Sequence, residues 1–256
     1  MKYVIYLAAV FSFALISGFL SAAPLQVRTL ENPPLEYMLD GEVTGVAVDL
    51  TREALRRTGH AAQIEIRPWK RALYEVAEGQ ADIAINTGRS DEREAWGIFP
   101  DEALINETFV LFSSIPMSLP KDLSGIEHFS LGNQLGYFYG ERFHTKVTND
   151  RFRSVETTLT IEKNLEKLVA KRIDLFIGDL LPTRYYIRQL DFGDDVHIVL
   201  EEGTDQPLVV SISPTFAAFS RKTVSPEFVK RFSEALKKMK EDGSYSQIVD
   251  SYLNDL

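Results

Sequence analysis

The chain alternates strand-like and helix-like segments, and it does so twice, which restricts its fold more than any other feature of the sequence. In the first half, apolar runs such as Ala81–Asn86 follow amphipathic segments such as Lys70–Glu78. A helix between two strands returns the chain across a sheet, so this order predicts helices packed on a mainly parallel sheet. The pattern restarts at Phe129–Leu135, after Pro116 and Pro120. We therefore predict two α/β units of similar make-up.

Turn and cap residues set the predicted boundaries of these segments. Asp49 and Thr160 are typical helix N-caps, and Ser225-Pro226-Glu227 combines a cap, a first-turn proline and an acid at the positive helix end. The predicted strands are 25–30, 35–39, 43–46, 64–67, 81–86, 108–114, 129–135, 154–157, 173–178, 196–200, 208–213 and 216–220. The predicted helices are 50–58, 70–78, 139–146, one that begins after residue 160, 181–190, 225–240 and 245–253.

The first 23 residues have the three-part layout of a secretory signal. Lys2 is the positive start, Val4–Leu20 is an unbroken run of apolar or small residues, and Ser21-Ala22-Ala23 offers small residues for cleavage. An uncleaved membrane anchor is the alternative, but Pro24 follows the small residues at once. We expect a periplasmic protein exported through a cleaved signal peptide.

Composition excludes several classes of function. With 37 acidic against 28 basic side chains, the chain has a formal charge of −9, which disfavours nucleic acid as a partner. The chain has no cysteine, so we expect no disulfide, no thiol chemistry and no lipid anchor at the cleavage site. The four histidines show no metal-ligand spacing, and we predict neither a metal site nor a cofactor.

Four stretches are specific when their order and spacing are taken together. They are Pro33–Tyr37 with Gly45–Leu50, Pro68–Leu73 with Gly79–Ile83, Asp91–Arg93 through Phe99, and Arg172–Asp179 with Gly243–Ile248. In this order they resemble extracellular solute-binding protein family 3, the periplasmic amino-acid-binding proteins of ABC importers. The resemblance covers nearly all of the chain after the signal segment.

The resemblance implies a two-lobed periplasmic-binding-protein fold of type II, in which each lobe is a mainly parallel sheet flanked by helices. Lobe 1 would comprise residues 24–112 and 215–256, and lobe 2 residues 117–211. Two hinge segments, near 108–116 and 211–220, would join the lobes and allow the cleft to close on a ligand. A monomer that meets a membrane permease or receptor is expected.

The resemblance also assigns roles in the cleft. Arg93 would hold a ligand carboxylate, because its planar guanidinium matches a carboxylate with two hydrogen bonds. Asp179 would hold the ligand ammonium, and Trp69 would form an aromatic wall. Thr87 and the backbone of Gly88 would add hydrogen bonds. Each role has a structural alternative: a surface ion pair for Arg93, a helix cap for Asp179 and a core contact for Trp69.

The sequence departs from the family pattern at two places. The start of the second lobe's helix usually carries a Gly-Thr-Thr type turn, and here the segment is Gly136-Tyr137-Phe138-Tyr139-Gly140. These aromatic residues would line the cleft or enter the core of lobe 2. Asn32 replaces the usual aromatic residue before the first proline loop.

We expect a binding protein that captures a small polar solute, an amino acid or a related compound, and has no catalytic residue. The alternatives are a dehydratase-like enzyme of the same fold, for which Glu141 and Asp179 are the candidate acids, and a ligand sensor for a membrane receptor.

Overall fold

The computed structural model describes residues 23–135, 137, 139–140, 143, 145 and 152–253. Apart from Ala23, the predicted signal segment lies outside the described residues, as do Phe138, Glu141 and most of the predicted helix 139–146. Within the described ranges, no helix is both long enough and apolar enough to cross a membrane.

The strands and helices of the described residues follow the predicted alternation. The strands are β1 Leu25–Thr29, β2 Tyr37–Leu39, β3 Glu42–Thr44, β4 Ala62–Ile66, β5 Ile83–Gly88, β6 Gly97–Ile98, β7 Ile105–Ser113, β8 Ser118–Leu119, β9 Ser130–Gln134, β10 Ser154–Thr158, β11 Leu175–Asp179, β12 His197–Ile198, β13 Leu200–Glu201 and β14 Val209–Ser220. The helices are α1 Val46–Arg57, α2 Trp69–Ala77, α3 Asp91–Trp96, α4 Ile161–Val169, α5 Leu180–Gln189, α6 Pro226–Glu241 and α7 Ser244–Leu253. A short 3₁₀ turn spans Ile126–His128.

The main sheet has the strand order β10-β9-β11-β7-β14-β5-β1-β4. At one end, β1 pairs in parallel with β4 and β5, and at the other end β9 pairs in parallel with β10 and β11. Between these two parallel groups lie β7 and β14, which pair with each other and with their outer neighbours in antiparallel fashion. Two parallel α/β units joined by two long strands confirm the predicted fold class.

Buried apolar side chains form separate clusters on the two sides of these long strands. The first core draws its buried members from residues 27–105 and 217–239. The second core draws its buried members from residues 109–208. Each core fills one α/β unit, so the surfaces that face each other across β7 and β14 are free to form a cleft.

The single strand predicted for 196–200 is two short strands, β12 and β13, because β12 pairs with β7 and β13 with β8. Two further local predictions were wrong, for identifiable physical reasons. Helix α1 begins at Val46, not at Leu50, because its first amides donate to backbone carbonyls of a neighbouring loop and no side-chain cap is needed. The two strands predicted for 208–213 and 216–220 are one continuous strand, β14. Pro214 does not break it, since Pro214 has a ladder partner only in β7 and the pairing with β5 begins at Thr215.

Candidate functional site

A cavity of about 290 Å³ lies where the two cores face each other across β7 and β14. Its lining comes from the first α/β unit, the two long strands and, through Tyr137, the second α/β unit: Leu30, Asn32, Trp69, Asn86, Gly88, Arg93, Glu107, Phe109, Tyr137, Ser213 and Thr215. A volume of this order suits a guest of few heavy atoms. The cavity contains both charged groups and aromatic rings, which is the composition that a small polar ligand requires.

Arg93 supplies a positive charge to this cavity. It lies on α3, a helix that Ser90 caps by accepting a hydrogen bond from the Arg93 amide. Its Nη1 donates to the Gly88 carbonyl at 2.7 Å, and its guanidinium carbon lies 5.9 Å from the centre of the Trp69 ring. These two contacts fix the direction of the guanidinium, while Nε and Nη2 have no hydrogen-bond partner among the described residues and remain able to bind an anion.

Arg89 is close in sequence but has a different environment. Its Nε donates to Glu94 Oε1 at 2.5 Å, and the pair is about half exposed. The guanidinium also lies over the rings of Phe99 and Phe216. Arg89 therefore forms a surface ion pair, the arrangement that was the structural alternative for Arg93.

The floor of the cavity is built where β5 meets β14. Asn86 has a left-handed backbone conformation, with φ 56°, which asparagine tolerates better than most residues. The register between β5 and β14 shifts next to it, between Phe216 and Ala218. Thr215 Oγ1 donates to Asn86 Oδ1 at 2.6 Å, so both side chains are held at the cavity wall.

Thr87 is not brought to the cavity. Its side chain is fully buried, and its hydroxyl donates to the Ala84 carbonyl at 3.0 Å. Asn32 does line the cavity, at the start of the loop between β1 and β2. There its backbone N–H donates to the backbone carbonyl of Glu36 at 2.6 Å.

Asp179 ends β11 and lies beside the cavity, against β7. Its Oδ1 accepts a hydrogen bond from the Thr108 amide at 3.2 Å, and only 7% of the residue is exposed. It occupies the N-cap position of α5, where the amides of Leu180 and Leu181 approach its carboxyl closely enough to lower its pKa, although neither has the geometry of a regular capping hydrogen bond. This position agrees with the helix-cap role that the sequence allowed, and it also keeps the carboxyl beside the cavity.

Glu36, on the loop between β1 and β2, is fully buried, and the start of α1 fixes its position. The amides of Val46 and Ala47 donate to the carbonyls of Pro34 and Leu35, each at 3.0 Å. Gly45 is required here, because a β-carbon would lie 2.3 Å from the Leu35 carbonyl oxygen and its φ is 124°. The loop and the helix thus form one rigid unit that places the Glu36 carboxyl inside the protein.

Three carboxyl groups, that of Glu107 in the cavity wall and those of the buried residues Glu36 and Asp179, each have a raised pKa. Burial, together with repulsion from Glu107 and Asp179, raises the pKa of Glu36 well above its usual range, although the Asn86 side chain offsets part of the rise. Burial raises the pKa of Glu107 to about 7. Burial and the charge of Glu107 raise the pKa of Asp179 to about 8, although amides of β7 and α5 oppose the rise.

Tyr137, in the second α/β unit, lies close enough to the same three carboxyls for their charges to act on its phenol. Burial and the charges of Glu107, Asp179 and Glu36 raise the pKa of its phenol to about 12, so the hydroxyl stays neutral. The ring is 40% exposed, lines the cavity and stacks on Tyr139 at 6.1 Å between centroids.

The structure thus gathers most of the residues singled out from the sequence at one cavity. Arg93, Trp69, Gly88, Asn32 and Tyr137 line it, and Asp179 lies beside it. The cavity residues that the sequence did not single out are Leu30, Asn86, Glu107, Phe109, Ser213 and Thr215. Glu36 was not singled out either; it does not line the cavity but interacts with Asn86 and Glu107, which do. A sequence signal could have pointed to Glu107, because it is an acidic residue in a strand whose last five residues are apolar enough to be buried.

A larger cavity, of about 720 Å³, lies elsewhere and includes Arg184, Arg188 and His197. Its lining comes only from residues 116–200, so a guest there would touch one α/β unit and could not bridge the two cores.

Residues 25–114 match the family model of bacterial extracellular solute-binding proteins, family 3. This range contains three of the four sequence stretches that carry the resemblance. No match was found among curated proteins.

Solved structures with the same fold cover almost the whole chain. An ancestral arginine-binding protein bound to arginine has a TM-score of 0.64 and 18% identity, over 91% of this chain and 99% of its own. A histidine kinase sensor domain with similarity to periplasmic binding proteins has a TM-score of 0.66 and 19% identity, over 91% and 97%. AncCDT-1, an ancestral amino-acid-binding protein and precursor of cyclohexadienyl dehydratase, has a TM-score of 0.61 and 18% identity, over 90% and 94%. The chain therefore has the two-lobed α/β fold of these proteins, and its resemblance to extracellular solute-binding protein family 3 is confirmed.

Proposed function

We propose that this protein is a periplasmic solute-binding protein that captures a small amino-acid-like molecule by closing its two lobes. The observation that carries the proposal is the cavity of about 290 Å³ to which both α/β units and both long strands contribute. A guest in this cavity touches both lobes, and only such two-sided contacts favour the closed state over the open one.

The charges of the cavity match a zwitterion. In this proposal Arg93 binds the carboxylate through its free N–H groups, and Asp179 with Glu107 binds the ammonium. Trp69 and Tyr137 provide flat faces for the rest of the guest. The lobes correspond to residues 24–112 with 215–256 and to residues 117–211, and the hinges to the segments near 108–116 and 211–220.

A melting-temperature screen tests this function, because a ligand that binds only the folded protein raises the melting temperature. We expect at least one amino acid, polyamine, organic acid or short peptide to raise it by several degrees. Arg93→Ala should abolish the shift, while the matched control Arg89→Ala, which removes a surface ion pair, should keep it. The absence of any shift in the wild-type protein, or equal shifts in both variants, would count against the proposal.

The captured solute would pass to the permease of an ABC importer. The family contains such binding proteins, and the similar structures also include a kinase sensor domain. Pull-down of membrane proteins with the ligand-loaded protein separates the two roles: a permease supports import, whereas a receptor kinase supports sensing.

A second candidate function is a dehydratase-like enzyme. The observation that favours it is the raised pKa of Glu107 and Asp179, to about 7 and about 8, because a carboxyl that keeps its proton near neutral pH can act as a general acid. We expect no turnover of prephenate-like acids, and measurable turnover that depends on Glu107 would replace the binding function by this one.

A further inference from the structure

A further cavity, of about 600 Å³, lies between the two α/β units, and we call it the hairpin cavity. The β2–β3 hairpin, α1 and α7 form its wall on the first unit, and α5 forms its wall on the second. No described residue lines both the hairpin cavity and the cavity that contains Arg93, which we call the first cavity. A volume of this order is typical of small-molecule sites.

Helix α5 turns one face towards the first unit. Leu181, Tyr185 and Arg188 recur at i, i+4 and i+7, the spacing that places side chains on one side of a helix. Leu181 packs against the first core, and the ring of Tyr185 lies 6.0 Å from that of Tyr37, between centroids, at 50°. Tyr37, Tyr185 and Arg188 all line the hairpin cavity. A guest in this cavity would therefore touch both units.

The charge of the hairpin cavity favours an anion. Among the described residues, the charged members of its lining are Asp49 and Arg188. The Asp49 carboxylate is already paired, because Oδ1 accepts from Arg52 Nη1 at 3.1 Å and Oδ2 accepts from the Tyr252 hydroxyl at 2.6 Å. The Arg188 guanidinium has no hydrogen-bond or ion-pair partner within the described ranges. One positive charge is thus left uncompensated, and the fork of a guanidinium matches a carboxylate.

Flat aromatic surface lies around this charge. The rings of Tyr37, Tyr185 and Tyr252 line the hairpin cavity. Three contacts hold the Tyr252 hydroxyl in place: the one to Asp49, one at 3.0 Å to Thr44 Oγ1, and a hydrogen bond at 3.2 Å from the Gly45 amide. Aromatic side chains bind rings by offset stacking or edge-to-face contact. The cavity therefore fits a molecule that joins a carboxylate to a flat ring.

We propose that the hairpin cavity is a second binding site, for a small aromatic carboxylate, and that its occupant strengthens binding of the guest in the first cavity. Arg188 binds the carboxylate, and the tyrosines contact the ring. The coupling, but not the site, rests on the proposed function: an occupant that touches both units favours the same closed state as the guest of the first cavity. The two sites also share a wall, since the β1–β2 loop contributes Asn32 to the first cavity and Pro34 to the hairpin cavity.

Phenylacetate and phenylacetamide test the site on the wild-type protein, because the amide keeps the shape and lacks the charge. In calorimetry we expect phenylacetate to bind about ten-fold more tightly than the amide, and Arg188→Gln to weaken it by about the same factor. Arg184→Gln is the matched control and should leave binding unchanged, because Arg184 is exposed on the same helix and lines only the larger cavity. Equal weakening by both variants would place phenylacetate in the larger cavity and overturn the proposal.

A second titration tests the coupling, with the first cavity filled by the amino acid that raises the melting temperature most. We expect phenylacetate to bind about five-fold more tightly in its presence, and the amino acid to gain the same factor from phenylacetate. An unchanged affinity would overturn the coupling. If the amino acid displaces phenylacetate, or if Arg93→Ala abolishes phenylacetate binding, the probe lies in the first cavity and the proposal is wrong.

The outcomes separate this inference from the proposed function. If an amino acid raises the melting temperature and phenylacetate does not bind, the inference fails alone. If no amino acid does so but phenylacetate binds through Arg188, the proposed function and the coupling fail while the second site stands. A variant that ends at Leu253 supplies the last outcome, because residues 254–256 follow the cavity residue Tyr252 in sequence. Much tighter binding of phenylacetate to this variant would show that residues 254–256 occupy the cavity in place of a solute, which would overturn the proposal.

Discussion

At the scale of single residues, the carboxyl of Glu107 links the stability of the protein to pH. Its pKa in the folded protein is about 7, above the usual value of 4.5, and the groups around it are Glu36, Asp179, Tyr137 and Arg93. At pH values between 4.5 and about 7, the Glu107 carboxyl is therefore protonated in the folded protein and ionised in the unfolded chain. The stability contributed by this proton is therefore complete at low pH and is lost as the pH rises through about 7.

We expect Glu107→Gln to remove this dependence on pH. Relative to wild type, the free energy of unfolding of the variant should rise between pH 5 and pH 7, by up to about 1.4 kcal/mol per pH unit for one fully linked proton. Urea unfolding of both ligand-free proteins at several pH values measures this difference in the free energy of unfolding. Paired carboxylates such as Glu53, with a pKa of about 2, titrate below this window and do not interfere. If the free energy of unfolding changes equally with pH in the variant and in the wild type, Glu107 is ionised in the folded protein throughout this pH window.

Single residues also show how far sequence can predict a binding site. Arg93, Trp69 and Asn32 could be assigned to the cleft because they occupy fixed places in a recognisable order of motifs. Glu36 belongs to the first of those motifs, yet its role was not foreseen. An acid is expected to face water, since burial of an unpaired carboxyl is costly, and only the three-dimensional arrangement shows that this one is buried.

At the scale of secondary-structure elements, local signals located the helices of the described residues except α3, the short helix that carries Arg93, and they misplaced the start of α1. Thr160 and Ser225 cap α4 and α6 as predicted, each by accepting a hydrogen bond from an amide three residues on. Asp49 does not cap α1. The first amides of that helix donate instead to carbonyls of the loop between β1 and β2, which lies outside the few residues that a local capping pattern covers. The loop that replaces the cap is also the loop that carries Glu36, so the unpredicted helix start and the unpredicted site residue have one cause.

Helix α2, which carries Trp69 to the cavity, is tied to strand β1 by a buried ion pair. Arg28 Nε donates to Glu75 Oε2 at 2.7 Å, and both side chains are 9% exposed. Arg71 also donates to Glu75, at 2.8 Å. We expect Glu75→Gln to lower the free energy of unfolding by about 3 kcal/mol, because the buried Arg28 guanidinium then keeps only the longer contact with Glu65, at 3.6 Å, as an ion pair.

Glu78→Gln, at the C-cap of the same helix, is the matched control. Glu78 pairs with Lys222 at 2.9 Å, but both side chains are about half exposed, so its loss should cost less than about 1 kcal/mol. Urea unfolding of the two variants at one pH measures the difference. Equal costs would mean that the Arg28–Glu75 pair contributes no more than a surface ion pair.

At the scale of the whole molecule, the restart of the strand–helix pattern was sufficient to predict two α/β units. It was not sufficient to predict how they are joined. A single strand, β14, runs from Val209 near the second core to Ser220 in the first, whereas the sequence around Pro214 indicated a break. Continuity here depends on which neighbour each residue of β14 pairs with, and a local pattern does not contain that information.

Two long strands between two separate cores predict a bending motion when ligand binds. The chain has no cysteine, so pairs of introduced cysteines can carry spin labels without any background. Tyr74→Cys with Leu159→Cys places one label on each unit, at side chains that are 60% and 77% exposed. We expect the distance distribution between these labels to shift when the amino acid with the largest effect on melting temperature is added.

Tyr74→Cys with Lys237→Cys, both on the first unit, should give the same distribution with and without ligand. A shift in this control pair would indicate local rearrangement, and no shift in either pair would mean that the ligand enters without bending β7 and β14.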